Sequence, residues 1–548
     1  MGIVTATISS NGKKLDPKYQ VIAMDISREI NRIPDARIIL IDGSAAQRKF
    51  EIADSEFFAP GMEIEIKLRY ESEADKEATV FKGNVLKQII NANQEGFLLT
   101  IELKHKAFNL TTTRKSSVFV DKDDNAIVSG IFKDAKMKAT CSIEASYKHK
   151  QLVQYYCSDW DFIMSRVDAN GCGVIAGDEE VLVSPLKDMD GKSKKSKIVF
   201  GLDEFYELEW ESNAGDQLEK VSGTTWDIKK QALTPLKASQ AFAPAFGNLK
   251  GDELGKKLDA DYLVMNCAQV DEKEIEVWTN AKLIKSRMSL FRGKISIKGR
   301  ADLQPGETVE LEGIGNRFKG KGLISGVRHR VDQEGWISDI QFGLSSEWFL
   351  QSRDTEEKPA MALMPGIHGL QIGVIDKFDE DKDKNFRVKV KVPAFKSKEE
   401  GVVWARLITP YAGKERGLFF FPEEGDEVIL GFFNDDPRQA VILGSVYSNT
   451  NTIPKSFKSS KENVDKGIVM KNGARLSFKD DKKSVIELET PEKNKITIDD
   501  ENKSIIILDQ NKNKIEMNDS GITIKSDKDI TLEAGGNVTI KGSKVDIK

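Results

Sequence analysis

From Leu476 to Ile547 the chain repeats an apolar-x-apolar pair nine times. The pairs Leu476/Phe478, Ile486/Leu488, Ile496/Ile498 and Ile506/Leu508 recur every ten residues, separated by loops such as DDKK, PEKN and DDEN. Ile515/Met517, Ile522/Ile524, Ile530/Leu532, Val538/Ile540 and Val545/Ile547 follow at steps of 9, 7, 8, 8 and 7. Each pair sets two apolar side chains on one face of a short strand, because alternate strand residues point to opposite sides. One such strip cannot bury itself. A single-chain solenoid needs about 18 residues or more per coil even in its tightest form, so a period of about eight is too short for one chain to enclose a core. Three chains wound together supply about 24 residues per layer and bring the pairs onto a common axis. The repeat therefore predicts a homotrimer whose residues 470–548 form an intertwined β-helix, a stiff shaft with paired backbone and a Lys-rich outer face. The competing arrangement is an antiparallel meander within one chain. The ten-residue section tolerates it, whereas KSDK, EAGG and KGSK in the later repeats leave little room for reversals.

The shaft is a small part of a 548-residue chain that, at about 150 residues per domain, holds three or four domains. Lys and Arg number 82 against 87 Asp and Glu, and this near balance gives no electrostatic reason to expect nucleic acid. Gly is common, Pro scarce and Phe outnumbers Tyr and Trp, a balance that suits short strands and tight turns. Cys141, Cys157, Cys172 and Cys267 form no C-x-x-C pair, so neither a zinc site nor a disulfide framework is expected. The N-terminus lacks the basic start and apolar run of a signal peptide, and no stretch reaches the ~18 apolar residues of a membrane helix. The expected home is the cytoplasm of the producing cell, with export only by another machine.

Before the shaft, residues 1 to 155 alternate apolar and polar in short runs, as in Ile64-Glu65-Ile66-Lys67-Leu68, which is barrel or sandwich material. Ser158 caps a predicted helix in which Phe162, Ile163 and Val167 recur at helical spacing until Asn170-Gly171 stops it. A second helix is predicted from Ser222 to Leu233, and strands return from Lys294 to Phe349. The stretch from Trp348 to Gly366 is polar and broken by two prolines, as a linker is. Then come runs at 370–375, 387–392, 402–407, 417–421, 427–433 and 440–447, read as five or six strands of one small closed barrel. The domain boundaries expected are 1–361, 362–449 for the barrel, 450–469 for a connector and 470–548 for the shaft.

The run from Gly417 to Phe432, GLFFFPEEGDEVILGF, and that from Asn434 to Tyr447, NDDPRQAVILGSVY, resemble the oligonucleotide/oligosaccharide-binding (OB) barrel of VgrG spike proteins. Gly369 to Val374, Arg387 to Val390 and Trp404 to Tyr411 agree with it. Tyr156 to Ile163 and Ser325 to Asp332 are similar to the phage-hub domain that precedes that barrel. The resemblance implies a mainly β protein: phage-hub-like barrels with a few helices, an OB barrel and a trimeric shaft. It implies the tip of a contractile injection machine of the type VI secretion kind, seated on a hexameric inner tube and baseplate components and carrying effectors or adaptors. A spike of a phage tail or of an extracellular contractile particle is the alternative. The short connector leaves no space for an inserted lysozyme domain, and no enzymatic extension follows the last repeat, so no enzyme activity is expected. The final histidine, His368, precedes the shaft, which disfavours an iron-capped point. The resemblance implies instead a PAAR-type tip protein on Val545, Asp546, Ile547 and Lys548, where apolar surface would otherwise stand exposed.

No catalytic, cofactor or metal residues are assigned. Glu423, Glu424 and Asp426 lie in a Pro-Glu-Glu-Gly-Asp turn, where nothing desolvating is suggested to raise one pKa. Asp121-Lys-Asp-Asp-Asn and Asp379-Glu-Asp-Lys-Asp-Lys begin like calcium loops, but lack the glycine at position six and the glutamate at twelve, and read as charged hairpin loops. His105, His149, His329 and His368 have no partner visible in the sequence, and Lys192 to Lys197 reads as a solvated loop. Phe419, Phe420, Phe421, Phe432 and Phe433 read as barrel core or packing surface rather than a base-stacking face, so no nucleic-acid partner is expected.

Overall fold

The computed structural model describes residues 2–547 apart from 95, 145–146, 190–195, 240–241, 245, 267, 353–354 and 396–400. Cys267, Lys548 and most of the Lys192 to Lys197 run therefore lie outside the described residues. The chain divides into two compact units, 1–357 and 358–548.

The first unit is organised by a thirteen-stranded sheet that wraps two separate apolar cores. One core lies under strands between residues 4 and 104, where alternation puts Ile64, Ile66 and Leu68 of the strand Glu63–Tyr70 inside. The other lies between Ile198 and Phe342. The strand Gly320–Asp332 joins the two, pairing antiparallel with Val21–Glu29 on one side and Gly335–Phe342 on the other. Buried imidazoles mark this strand and the end of the first core. His329 sits beside Ser338, whose Oγ is 2.9 Å from its Nδ1, and burial pushes its pKa down to about 3. Burial pushes His105 down to about 4. Both begin from an ordinary value near 6.5, so the folded protein binds fewer protons than the unfolded chain below that pH. Stability is full above pH 6.5 and falls as pH drops toward these lowered values, with His329 alone costing roughly 3 kcal/mol by pH 4. Urea unfolding of the first unit, followed by Trp fluorescence at pH 7.5 and 4.5, should show the midpoint fall, and His329→Gln should flatten the dependence.

A helical insert carries its own core between these strands. The predicted helix is Asp159–Ala169, begun by Ser158, whose side chain accepts from the Asp161 N–H, and ended at Asn170. The helix predicted over Ser222–Leu233 is instead two paired strands, Lys220–Asp227 and Ala232–Lys237. Val221, Gly223 and Thr225 are buried at a two-residue period, and Gly223 lets the helix Glu272–Met288 approach, since a Cβ there would stand 2.4 Å from Ile275 Cγ2. The Asp121 to Asn125 segment is not a hairpin loop either. Asp123 accepts from the Ala126 N–H at 2.8 Å and caps the helix Asp124–Asp134.

In the second unit, five strands close a barrel in the order Gln371–Ile375, Arg387–Lys391, Val402–Leu407, Ala440–Ser445, Glu427–Phe432. Val388, Val390, Ala405, Val428, Leu430 and Ile442 fill it. The sixth run, 417–421, contributes no barrel strand. Val402–Leu407 pairs directly, in parallel, with Ala440–Ser445, so the barrel is closed without it and residues 408–426 loop out. Phe421 and Phe432 pack against the core, whereas Phe419, Phe420 and Phe433 are exposed.

A seven-stranded antiparallel sheet follows: Asp465–Val469, Arg475–Lys479, Val485–Glu489, Lys495–Asp499, Ser504–Leu508, Lys514–Asn518 and Gly521–Lys525. Each strand pairs with the next in the same chain, so the intertwining expected of the whole shaft does not extend to these residues. The ten-residue period explains this. Five residues make the strand and about as many remain to reverse direction.

Candidate functional site

The seven-stranded sheet has two unlike faces. Register places Leu476 opposite Leu488, Phe478 opposite Ile486, Ile486 opposite Ile498 and Leu488 opposite Ile496. The line continues through Ile505 and Ile507 to Met517 and Ile515, then to Ile522 and Ile524, and Ile468 extends it at the other end. These side chains form a continuous apolar stripe left open to solvent, Leu488 for example being 49% exposed. Soluble chains do not ordinarily leave so large a contiguous apolar face bare.

The opposite face is ionic. Lys514 and Glu516 lie 2.7 Å apart and Lys493 and Glu489 3.0 Å apart, while Glu487 pairs with Lys495 and Glu489 with Arg475. Burial opposes charge on Glu489, but the Lys493 hydrogen bond and the Arg475 and Lys495 charges outweigh it and lower its pKa. One face is thus made for water and the other for another surface.

Among the residues expected in the shaft core, Ile506 and Leu508 lie on the ionic face. Ile506 is opposite Thr497 and Glu516, and Leu508 opposite Lys495 and Lys514. The connection at 500–503 is one residue shorter than those at 480–484 and 490–494, and a one-residue slip exchanges the faces of a strand. The run Ile505-Ile506-Ile507-Leu508 offers apolar residues in either register. A nine-residue step from Ile496 to Ile505, then ten to Ile515, was the signal available. Ile530, Leu532, Val538 and Ile540 lie beyond the sheet and are exposed. At the end, Val545 and Ile547 are exposed and Asp546 pairs with Lys544 at 3.0 Å.

The other candidates do not assemble into a reactive site. Glu423 faces Lys471 at 3.0 Å, and Asp426 accepts from the Glu423 N–H at 2.8 Å as a turn residue does. Asp381, in the 379–384 loop, accepts from the Asp383 and Asn385 N–H groups and from the Arg387 guanidinium. Among the described residues no group of three or more His, Cys, Asp or Glu side chains is placed to hold a metal ion, and no helix is long and apolar enough to cross a membrane. Cys141, Cys157 and Cys172 are free thiols whose pKa values burial raises.

One cluster was invisible in the sequence. Asp124, buried at the first turn of its helix, accepts from Arg166 Nε at 2.7 Å, Asn170 Nδ2 at 2.8 Å and Tyr147 Oη at 3.1 Å, and lies 3.2 Å from His149 Nε2. Glu274, from the helix Glu272–Met288, lies 3.5 Å from Arg166 and 3.8 Å from His149. Burial raises its pKa. The cluster ties together three helices and a strand.

Known proteins bear on these parts in turn. Residues 1–333 match the family model of the Alg8 N-terminal domain. Residues 371–447 match that of the type VI secretion system/phage-baseplate injector OB domain, and 485–548 that of the phage baseplate V C-terminal trimerisation domain. Similar curated proteins include the type VI secretion system spike protein VgrG3 of Vibrio cholerae, 35% identical over 106 residues, 19% of this chain and 10% of that one. Another is spike protein VgrG1b of Pseudomonas aeruginosa, 29% identical over 174 residues, 29% of this chain and 23% of the relative. The chain thus spans less than a quarter of the length of these relatives. Among solved structures, the 43 kDa tail protein of a Shewanella oneidensis prophage covers 63% of this chain and 99% of its own at 9% identity and a TM-score of 0.46. A Francisella PdpA–VgrG complex covers 95% of this chain and 87% of the matched one at 11% identity and a TM-score of 0.40.

Proposed function

This chain belongs to the Alg8 N-terminal-domain family, and on that premise, with an injector OB barrel and a trimerisation segment behind the hub, we propose that it is the trimeric central spike of a contractile injection machine of the type VI secretion kind. The observation that carries this reading is the shaft sheet, apolar on one face and ion-paired on the other. Three such sheets set with their stripes inward close a prism, dry inside and charged outside. Burying the stripe contributes at about 25 cal/mol per Å² of apolar surface, and that burial holds the prism together under axial load.

Three copies of the first unit would form the ring that meets a hexameric inner tube, as the resemblance to VgrG spike proteins implies. The spike would cap that tube, meet baseplate components there, carry effectors or adaptors, and transmit the thrust of contraction to a target membrane. A PAAR-type tip protein would seat on Val545, Asp546 and Ile547, where the exposed Val545 and Ile547 side chains offer it apolar surface. The role is mechanical and needs no catalysis by this chain. Before firing, the protein would reside in the cytoplasm of the producing cell.

Light scattering tests the reading. The full chain of 61.2 kDa should elute at about three times that mass, and a chain ending at residue 469 should lose trimers or hold them weakly. A full-length monomer at micromolar concentration would overturn the spike assignment.

A further inference from the structure

We propose that His149 and Glu274 share one buried proton and that this proton clasps the first turns of the helix Glu272–Met288 to the hub's helical insert, a clasp that loosens when alkali removes it. Each packed element brings its charged or titratable group to the same place. The helix Asp124–Asp134 contributes Asp124, the segment before the next strand Tyr147, the strand His149–Ser158 its first residue, the helix Asp159–Ala169 Arg166, and the helix Glu272–Met288 Glu274. The Tyr147 hydroxyl stays neutral, its pKa pushed up by burial. Without a further proton, two carboxylates therefore face one guanidinium. The side chains of Asp124 and Glu274 are only 3% and 13% exposed, so the surplus negative charge lies where water screens it poorly.

The geometry shows where a neutralising proton goes. His149 stands between the two carboxylates, its Nε2 3.2 Å from Asp124 and its Nδ1 3.8 Å from Glu274, with Arg166 Nη2 3.4 Å from Nε2. On the ring, the proton makes two cations alternate with two carboxylates. On Glu274, whose pKa burial raises, it leaves a neutral ring that donates to Asp124. Both arrangements are neutral, and the proton belongs to the pair. The clasp is local to one end of its helix. About three turns further on, Lys285 pairs with the buried Asp168 of the helix Asp159–Ala169, an attachment balanced without an added proton. Freed from the cluster, glutamate and imidazole release their protons near pH values of about 4.3 and 6.5. Above about pH 6.5 the released segment therefore holds neither proton while the clasped pair keeps one. Release then becomes easier by up to about tenfold per pH unit, until the pair's own value is reached.

Hydrogen exchange of the full chain, read by mass spectrometry on peptides from 272–280 between pH 6 and pH 9, tests the clasp. Glu274→Gln supplies a neutral partner of the same shape and needs no added proton. Comparing wild type and variant at each pH cancels the intrinsic base catalysis of exchange. The wild-type rate divided by the Glu274→Gln rate should rise by up to about tenfold per pH unit above pH 6.5. Peptides from the strand Glu63–Tyr70 should keep a constant ratio. Asp124→Asn removes the other carboxylate and should give the same rise, so it stands in if Glu274→Gln does not fold. A ratio for 272–280 that stays constant from pH 6 to pH 9 overturns the shared proton. An equal rise in both regions overturns the local clasp.

Discussion

Ile507→Lys is expected to convert the trimer into monomers, while Ile506→Lys, one residue away, leaves it intact. Ile507 lies on the stripe opposite Ile496 and Ile515, so in the closed prism three ammonium groups would meet near the axis with neither water nor counter-charge. Burying one unpaired charge costs several kcal/mol even after relaxation, and like charges add to it. The unsubstituted side chain, by contrast, contributes on the order of 1 kcal/mol when its remaining exposure is removed. Ile506 points to the ionic face, opposite Thr497 and Glu516, where a lysine gains a carboxylate neighbour. Light scattering of both variants at micromolar concentration, with circular dichroism to show that the strands persist, decides the matter. If Ile506→Lys dissociated and Ile507→Lys did not, the stripe would be on the wrong face and the prism would have to be turned inside out.

That contrast also marks where sequence reading succeeded and where it stopped. The repeat was legible as a series of short strands because an apolar-x-apolar pair is a local signal, though not which strands pair, and so was the helix begun by Ser158, whose capping hydroxyl and helical spacing lie within a dozen residues. Five of the barrel strands were legible for the same reason. The sixth run, 417–421, has the same apolar character but no place in the closed barrel, a fact set by the pairing of Val402–Leu407 with Ala440–Ser445 about thirty-five residues apart. Register in the shaft failed at Ser504–Leu508, where four consecutive apolar residues erased the alternation and a short connection chose between two frames. Where a helix is expected over Ser222–Leu233, Lys220–Asp227 and Ala232–Lys237 are strands: Val221, Thr224, Thr225 and Trp226 favour a strand, burial alternates along it, and Gly223 admits Ile275 of the packed helix. The hub's buried ionic cluster could not be read at all, since its members come from positions 124, 147, 149, 166, 170 and 274.

Asp124→Ala is expected to be the most damaging single substitution in the hub. It removes the carboxylate that receives Arg166, Tyr147 and Asn170, and it leaves the Arg166 guanidinium buried beside His149 with the Tyr147 hydroxyl at 3.4 Å and, as its remaining carboxylate, Glu274 at 3.5 Å. Breaking a buried pair from one side costs about 3–5 kcal/mol, a large share of the 5–15 kcal/mol that holds a domain folded. Asp124→Asn, which keeps the shape and one acceptor, should recover part of it. Acid should mimic the loss. Burial disfavours charge on Asp124, but hydrogen bonds from His149, Arg166 and Asn170 and the guanidinium charge outweigh it and hold its carboxyl well below the usual carboxylate range. Its contribution is therefore present above the unfolded value near 4 and is lost as pH falls below it. Urea titrations of the wild type and both variants at pH 7 and pH 3, read by Trp fluorescence, should find the wild type losing its advantage over Asp124→Ala in acid. A pH-independent gap between them would mean that the carboxylate is held by shape and not by charge, and that the three helices and the strand are joined by packing alone.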